Sequence, residues 1–298
     1  MQIFNEITDT ITGISFSEDN SLIAISSWDG CVYFYHASNH SFIEKQNLGS
    51  PVLCICFCSG IFFAGCAGNA EGNIYRVLPG QSPSLFAVHK SSVTGIESTY
   101  IGLVTCSLDC TAIIWVMDSG KPLITWDLPE KAFSMSVQDE TIAIACASRY
   151  IVVIEASDSK VEKYESSLRH QTSKLIVTSN KKIVVGSVEG RISVQEKDKA
   201  PMLFKAHLHN GFDKSIAHCI HAMDSDGDRL YTGGSDGVVN IFDLSKPCII
   251  NSISGSNSIS YLKLNGNNLY VSTGYNWENG PKDVQKPVSY LVRLKANK

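Results

Sequence analysis

Short apolar runs separated by small polar residues follow one another along the whole chain. The runs are rich in β-branched and aromatic residues, and Gly, Ser, Asn and Asp stand between them, which is the pattern of strands and turns in an all-β domain. Residues 51–68 are uncharged and long enough to suggest a membrane span. Ser59-Gly60 divides them into two runs of strand length, so we predict two buried strands joined by a turn there.

A turn followed by a strand recurs at a regular interval. A small-residue turn precedes a β-branched or aromatic run in six places, such as SSWDGCVYFY at residues 26–35 and GGSDGVVNIFD at residues 233–243. The turn residues that mark the six copies are Asp29, Glu71, Asp109, Ser148, Glu189 and Asp236, which lie 38 to 47 positions apart. A period of about 40–45 residues with this turn is typical of WD repeats, each of which forms one four-stranded propeller blade.

A seventh blade fits the last part of the chain. Residues 259–264, 269–274 and 290–294 have the composition of strands, and residues 2–4 can supply the fourth strand. Closure of the ring by the N-terminal strand would remove exposed sheet edges. The sequence therefore predicts an all-β fold, a single seven-bladed WD-repeat β-propeller that spans residues 1–298 as one domain.

The third repeat keeps the most complete set of polar residues. His89 precedes this blade, Ser107 and Asp109 lie at its turn, and Trp115 lies on the strand that follows. Polar residues in such positions hydrogen-bond one another inside a blade. We therefore interpret His89, Ser107, Asp109 and Trp115 as a structural set and not as a catalytic triad.

Composition and charge restrict the function further. Hydrophobic residues make up 44% of the chain, so a large core is possible. The chain has 25 basic and 29 acidic residues, which gives a net charge of −4. This balance removes the long-range attraction that a general nucleic-acid-binding protein needs, and direct nucleic-acid binding is not expected. The first residues lack the features of a secretory signal. Ten cysteines without framework spacing indicate reduced, buried thiols of a cytosolic or nuclear protein.

One motif resembles that of a hydrolase. Residues 233–237 match the G-x-S-x-G pattern around Ser235, but a strand-like run follows, where a nucleophile elbow needs a helix. The turn interpretation is favoured, and a hydrolase that uses Ser235 and a histidine is the alternative from a different functional class. We expect no enzyme activity and no cofactor.

Two groups of potential zinc ligands are also present. Cys54, Cys56 and Cys58 are spaced by two and share one face of a strand, which favours packing over tetrahedral coordination. The second group consists of His207, His209, His218, His221 and Cys219. No second pair of cysteines with the spacing of zinc ligands accompanies it. No metal site is expected.

Several stretches go beyond what the repeat requires. They are SSWD at residues 26–29, LPEK at 128–131, ESSLRHQT at 165–172, GSVEGR at 186–191 and LFKAH at 203–207. With these stretches the chain resembles, over nearly its whole length, the Bub three and Rae one family of small WD-repeat propellers, whose branches act in the spindle checkpoint and in messenger-RNA export. The EGR and SSLRHQT stretches are the most specific part of the resemblance.

The resemblance implies a binding module without catalysis. Members of the family hold an extended segment of a partner, the GLEBS motif, across the top of the propeller, and the partners are checkpoint kinases or a nucleoporin. By direct match, Arg191 is expected to pair with glutamates of the motif and Trp28 to pack on the bound chain. Lys205 and His207 match a further basic run of the family and complete the expected partner-binding set. Leu208 stands where the family commonly has arginine, which removes one expected contact.

The stretches that distinguish the two branches of the family favour different branches. SSWD and the lack of a long N-terminal arm favour the checkpoint branch, whereas residues 275–277 (YNW) and 285–291 are more similar to the export branch. The expectation is a monomeric propeller in hetero-complexes in the nucleus, which recruits checkpoint kinases to kinetochores. The alternative is an export factor that docks a nucleoporin segment at the nuclear pore.

Overall fold

Seven four-stranded sheets form the predicted seven-bladed β-propeller. The computed structural model describes residues 2–68, 70–157, 159–207, 218–255, 257–274 and 287–294. Apart from one turn of 3₁₀ helix at Ala147–Arg149, these residues form strands, turns and loops. No helix in the described part of the chain is long and apolar enough to cross a membrane.

The chain divides into two compact units, and Ile11–Tyr164 forms the one with four blades. Blade 1 consists of β2 (Ile11–Phe16), β3 (Leu22–Ser27), β4 (Cys31–His36) and β5 (Phe42–Asn47). Blade 2 consists of β6 (Val52–Cys58), β7 (Ile61–Cys66), β8 (Gly72–Val77) and β9 (Ser84–His89). Blade 3 consists of β10 (Val93–Ser98), β11 (Leu103–Ser107), β12 (Thr111–Trp115) and β13 (Pro122–Asp127). Blade 4 consists of β14 (Ala132–Gln138), β15 (Thr141–Cys146), β16 (Tyr150–Glu155) and β17 (Lys160–Glu165).

Met1–Thr10 and Glu165–Lys298 form the other unit, with three blades. Blade 5 consists of β18 (Thr172–Val177), β19 (Ile183–Ser187), β20 (Arg191–Gln195) and β21 (Met202–Lys205). Blade 6 consists of β22 (Ile220–Asp226), β23 (Arg229–Gly234), β24 (Val238–Asp243) and β25 (Cys248–Ser254). Blade 7 consists of β26 (Ile259–Asn265), β27 (Asn268–Thr273), β28 (Val288–Arg293) and β1 (Gln2–Ile3). That residues 1–298 behave as one domain stays a prediction.

The two strands expected within the uncharged stretch are present. They are β6 and β7, joined by a turn in which Ser59 has a φ of 50° and Gly60 a φ of 83°. Cys54, Cys56 and Cys58 of β6 pack in the apolar cluster between blades 2 and 3. All ten cysteines are free, and burial raises the pKa of Cys66 to about 11 and that of Cys146 to about 12. Thiols of this kind are poor nucleophiles and act as small apolar side chains.

The blades of each unit pack through apolar clusters between neighbouring sheets. One cluster joins blades 3 and 4 and another joins blades 5 and 6. A β-bulge follows the first residue of one edge strand in every blade. These strands are β2, β6, β10, β14, β18, β22 and β26. The bulged residues Thr12 and Thr94 donate hydrogen bonds to the first residue of the next blade, to the carbonyl oxygens of Val52 (2.7 Å) and Ala132 (2.9 Å). A bulge bends the strand and redirects one side chain, here into a link between blades.

Candidate partner-binding site

Arg191 is held at the end of a fixed turn in blade 5. The turn joins β19 to β20, and its Gly190 has a φ of +72°. A Cβ atom on Gly190 would lie 2.3 Å from the carbonyl oxygen of His207, so both the backbone conformation and the space require glycine. The Gly190 carbonyl accepts hydrogen bonds from the amides of Ala206 (2.8 Å) and His207 (3.1 Å). These bonds attach the turn to the end of β21 and thereby position Arg191.

Arg191 and Lys205 face each other across neighbouring strands. The two residues are register partners in β20 and β21, both are exposed, and directly opposite residues have Cβ atoms about 5 Å apart on the same face of a sheet. Two like charges in this position destabilise the pairing. The arrangement therefore favours an anion between the two cations, and the fork of an arginine suits a carboxylate.

A carboxylate of the chain itself lies beside this pair. Glu189 Oε1 is 3.4 Å from Arg191 Nε, and Glu189 Oε2 is 3.3 Å from His170 Nε2. The side chains of Arg191 and His170 are 45% and 58% exposed, so these pairs are screened by water and easily exchanged. Sequence reasoning did not assign Glu189 and His170 to the site, although both lie in the EGR and SSLRHQT stretches. The available signal was the position of Glu189, two residues before Arg191 in the same turn.

Trp28 lies on the corresponding turn of blade 1, between β3 and β4. Asp29 holds this turn, because its carboxylate accepts hydrogen bonds from the Cys31 amide (3.0 Å) and the Tyr33 hydroxyl (2.6 Å). Gly30 has a φ of +83°, and its carbonyl accepts the Leu48 amide at 2.8 Å, as Gly190 does for Ala206. The indole of Trp28 is left 48% exposed. Trp28 and Arg191 belong to different compact units.

The polar residues of blade 3 form a buried hydrogen-bonded chain. His89 Nδ1 lies 2.9 Å from Asp109 Oδ2, and His89 Nε2 lies 2.7 Å from Thr105 Oγ1. The indole of Trp115 donates to the same Thr105 oxygen at 2.8 Å. Since a carboxylate only accepts, Nδ1 of a neutral ring carries the proton and Nε2 accepts from Thr105.

Ser107 contributes to the set through the turn and not through the histidine. Its hydroxyl accepts the Asp109 amide (3.1 Å) and donates to the Ser91 carbonyl (3.1 Å), so it supports the turn and has no direct bond to the histidine. The hydroxyl that joins His89 to Trp115 belongs to Thr105, which sequence reasoning missed. Thr105 lies two residues before Ser107 on the same face of β11, and this period of two was the available signal.

Hydrogen bonding keeps the Asp109 carboxylate ionised. Burial raises the pKa of Asp109, but hydrogen bonds from His89 and Thr111 lower it more, so the pKa lies below its ordinary value of 3.8. Asp236 of blade 6 shows the same balance between burial and its bonds from His207. Both carboxylates therefore stay negatively charged inside the protein near neutral pH.

His207 is part of a second such set, which corrects its expected role as a partner contact. Its Nδ1 lies 2.9 Å from Asp236 Oδ2, and its Nε2 lies 2.8 Å from Thr232 Oγ1. The His207 side chain is fully buried, so a partner cannot reach it. The histidine precedes the aspartate by 20 positions in blade 3 and by 29 in blade 6. The extra residues hid the equivalence of His207 and His89.

The hydrolase-like motif has the environment of a turn. Ser235 Oγ accepts the Cys219 amide at 3.0 Å and lies 3.4 Å from His218 Nδ1. The strand β24 follows it where a nucleophile elbow requires a helix, and Asp236 is already bonded to His207. Ser235 thus supports the turn, as Ser107 does in blade 3.

Metal ligands do not converge in the part of the chain that the structure describes, where no group of three His, Cys, Asp or Glu side chains could hold an ion. Several of the sequence expectations fall outside the described residues. They concern Leu208, His209 and residues 275–277 and 285–286.

Comparison with known proteins supports the class of protein that the fold indicates. The family model for the WD domain, G-beta repeat, matches residues 2–36, 80–116 and 204–243. The chain is a seven-bladed β-propeller with WD40 repeats.

Some WD-repeat proteins are similar to this chain over nearly its whole length. The chain is 26% identical to mitotic checkpoint protein BUB3.1 of Arabidopsis thaliana, and the alignment covers 98% of this chain and 92% of the relative. It is also 26% identical to protein Rae1 of Drosophila melanogaster, over 95% and 90% of the two chains. Identity to mRNA export factor GLE2 of Chaetomium thermophilum is 24%, over 91% and 83%. The similarity therefore extends to both the checkpoint and the export proteins.

Proposed function

We propose that the chain is a non-catalytic adaptor that binds a GLEBS-type segment of checkpoint kinases and recruits them to kinetochores. Arg191 and Lys205 would receive glutamates of the segment, and Trp28 would pack on its apolar side chains. Lys205 enters this proposal by its register with Arg191, whereas His207 leaves it because it is buried. The protein would act in the nucleus, as a monomeric propeller within hetero-complexes.

The exposed pair of cations formed by Arg191 at the start of β20 and Lys205 at the end of β21 carries this proposal. Two facing cations on one sheet are best tolerated when a carboxylate lies between them. Glu189 lies 3.4 Å from Arg191, but the arginine side chain stays 45% exposed, so a glutamate of a partner can reach it and displace Glu189. Trp28 adds an exposed aromatic residue on a turn of the same construction. Tryptophan and arginine are the residues most enriched in binding hot spots.

Docking of a nucleoporin segment of the same type in messenger-RNA export is the second candidate function. The observation that favours it is that protein Rae1 and the GLE2 export factor align with this chain at 26% and 24% identity. The checkpoint protein BUB3.1 aligns at 26%. The same turns would bind the nucleoporin, so the partner decides between the two functions.

A pull-down from dividing cells distinguishes these functions. Wild-type bait is compared with R191E and W28A, and captured proteins are identified by mass spectrometry. The matched controls are K121E, which reverses an exposed charge in blade 3, and Y100A, which removes an aromatic side chain that is 63% exposed. We expect both site variants, and neither control, to lose checkpoint kinases.

Each possible result has a definite meaning. Loss of a nucleoporin in place of the kinases would assign the chain to export. If folded R191E and W28A keep every partner of the wild type, the turns are not the binding site and the proposal fails. Circular dichroism of the four variants shows whether each remains folded.

A further inference from the structure

The ESSLRHQT stretch of the sequence joins β17 to β18 and is docked on blade 5. Leu168 is buried, and the hydroxyl oxygens of Ser167 and Ser193 lie 2.7 Å apart. The Gln171 carbonyl accepts a hydrogen bond from the Val188 amide at 3.1 Å. These contacts attach the stretch to β20 and to the β19–β20 turn, so its exposed residues have fixed positions beside that turn.

His170 is the residue of this stretch that contacts the turn through its side chain. Its Nε2 lies 3.3 Å from Glu189 Oε2, and the other oxygen of this carboxylate, Oε1, lies 3.4 Å from Arg191 Nε. The Glu189 side chain is 21% exposed, less than either partner. One carboxylate is thus shared between an arginine, which is always charged, and a histidine, a residue type whose charge changes between about pH 5 and 8.

A carboxylate that arrives at Arg191 has to compete with Glu189. Lys205, the register partner of Arg191, adds a second cation for the incoming group. While Glu189 stays on the guanidinium, the incoming carboxylate meets a like charge at the same place, and the two repel each other. A shift of Glu189 towards His170 relieves this repulsion. The shift is most favourable when His170 is protonated, because the imidazolium then replaces Arg191 as the cation beside Glu189.

Carboxylate binding and protonation of His170 therefore favour each other. A bound carboxylate makes the surroundings of His170 more negative, which stabilises the imidazolium, and by reciprocity the imidazolium strengthens binding. Arginine, lysine and glutamate keep their charge between pH 6 and 8. The other charged side chains of this group are of these types, namely Arg169, Glu189, Arg191 and Lys205. Affinity for a carboxylate should thus rise as the pH falls from 8 to 6.

Two further histidines approach the same turn. A Cβ atom on Gly190 would lie 2.3 Å from the carbonyl oxygen of His207 and 2.6 Å from that of His218. The ring of His207 is buried and lies 2.9 Å from Asp236. His218 Nδ1 lies 3.4 Å from Ser235 Oγ. The contact with Glu189 assigns the pH dependence to His170, and a variant of His218 tests this assignment.

We propose that Glu189 and His170 determine the affinity and specificity of the proposed partner-binding site. Glu189 is an internal competitor that a partner must displace from Arg191 with a carboxylate of its own, and protonated His170 receives the displaced side chain. Both are positioning residues, because they act through Arg191. This inference rests on the proposed function, since it takes Arg191 as the group that receives a partner's glutamate. It adds a dependence of partner binding on pH.

Isothermal titration calorimetry on the full-length protein at pH 6, 7 and 8 tests the inference. The probe is a synthetic ten-residue peptide in which two adjacent glutamates are flanked by apolar residues. The site variants are E189Q and H170Q, and H218Q tests the second histidine. E71Q makes the same change at the exposed marker residue of blade 2, and H36Q replaces an exposed histidine of blade 1. Circular dichroism shows whether each variant is folded.

The expected changes are those of partly exposed ion pairs, about two- to fivefold in affinity. The wild type should bind the peptide about two- to fivefold more tightly at pH 6 than at pH 8. E189Q should bind more tightly than the wild type at pH 8 by a similar factor. H170Q should match the wild type at pH 8 and bind more weakly at pH 6. E71Q, H36Q and H218Q should follow the wild type at each pH.

Proton uptake gives a readout that a merely structural role would not change. Titrations at pH 7 in phosphate and in Tris, two buffers with different heats of ionisation, give the number of protons taken up on binding. We expect uptake of a fraction of a proton by the wild type and by H36Q, and less by H170Q.

Several results would overturn the inference. Weaker binding by E189Q would make Glu189 a support for Arg191, and equal binding would leave it without a role. A wild-type pH dependence in H170Q, or its loss in H218Q instead, would remove His170 from the mechanism. R191E separates the two proposals. If R191E binds the peptide as the wild type does, the proposed site fails and this inference fails with it. If R191E loses the peptide while E189Q and H170Q match the wild type, this inference alone fails.

Discussion

A single hydroxyl group connects the histidine and the tryptophan inside blade 3. We predict that Thr105→Val, which keeps the shape and removes the hydroxyl, lowers the free energy of unfolding by about 2–3 kcal/mol, because His89 and Trp115 each lose a buried partner. The control Thr125→Val changes an exposed threonine of the same blade and should stay within about 0.5 kcal/mol of the wild type. Urea denaturation measures both. Equal midpoints for the two variants would show that the set does not stabilise the blade.

The same set predicts a dependence of stability on acid. The pKa of Asp109 is below 3.8 in the folded protein, so the unfolded chain binds more protons as the pH falls below about 4, and stability decreases there. We expect Asp109→Asn to be less stable than the wild type at pH 7 and to lose less stability between pH 4 and pH 2. Asp118→Asn, at an exposed position, should keep the wild-type slope. Thermal denaturation across this pH range gives the slopes, and parallel curves for all three proteins would contradict the prediction.

At the scale of elements, the β19–β20 turn determines where Arg191 lies. We predict that Gly190→Ala costs at least about 2 kcal/mol, because it adds a contact with the His207 carbonyl to the strain of a positive φ. Gly60→Ala isolates the strain, since Gly60 has a φ of +83° and nothing within 4 Å of the added Cβ, and should cost about 1–2 kcal/mol. Urea midpoints of the two variants decide this. If Gly60→Ala is the more damaging change, the contact with His207 has no role.

The strands and their roles could be predicted where the sequence repeat is regular. The prediction failed where an insertion interrupts the repeat. The alternation of strands and turns and the repeat of about 40 residues were sufficient for six sheets, and the strand-like composition of the last part of the chain indicated the seventh. Residues 208–217 lengthen one interval, so His207 could not be matched to its blade from spacing alone. Thr105 was missed because hydroxyl residues are common in strands and only the folded blade shows which one faces the histidine. The N-terminal strand ends at Ile3, one residue earlier than predicted, because Phe4 has a φ of 62°, and a phenylalanine gives no turn signal in the sequence.

At the scale of the whole molecule, burial divides the cysteines into reactive and protected groups. Cys248 is exposed, whereas Cys66 and Cys146 are buried with pKa values raised to about 11 and about 12. We predict that a thiol reagent at pH 7 modifies Cys248 in the native protein, while Cys66 and Cys146 react only when urea unfolds the chain. Peptide mass spectrometry locates the modified residues. Native labelling of Cys66 as fast as that of Cys248 would show that blade 2 opens frequently.

The pairing of β1 with β28 has a consequence for synthesis of the protein. A ribosome releases Gln2–Ile3 long before Val288–Arg293, so at about 5–20 residues per second β1 waits roughly 15–60 s for its partner strand. Blade 7 is thus the last sheet that can be completed during translation. A chain that stalls before Val288 would expose β27 as an unpaired edge, which is a template for association with other nascent chains. A chaperone that covers β27 during this interval would prevent such association.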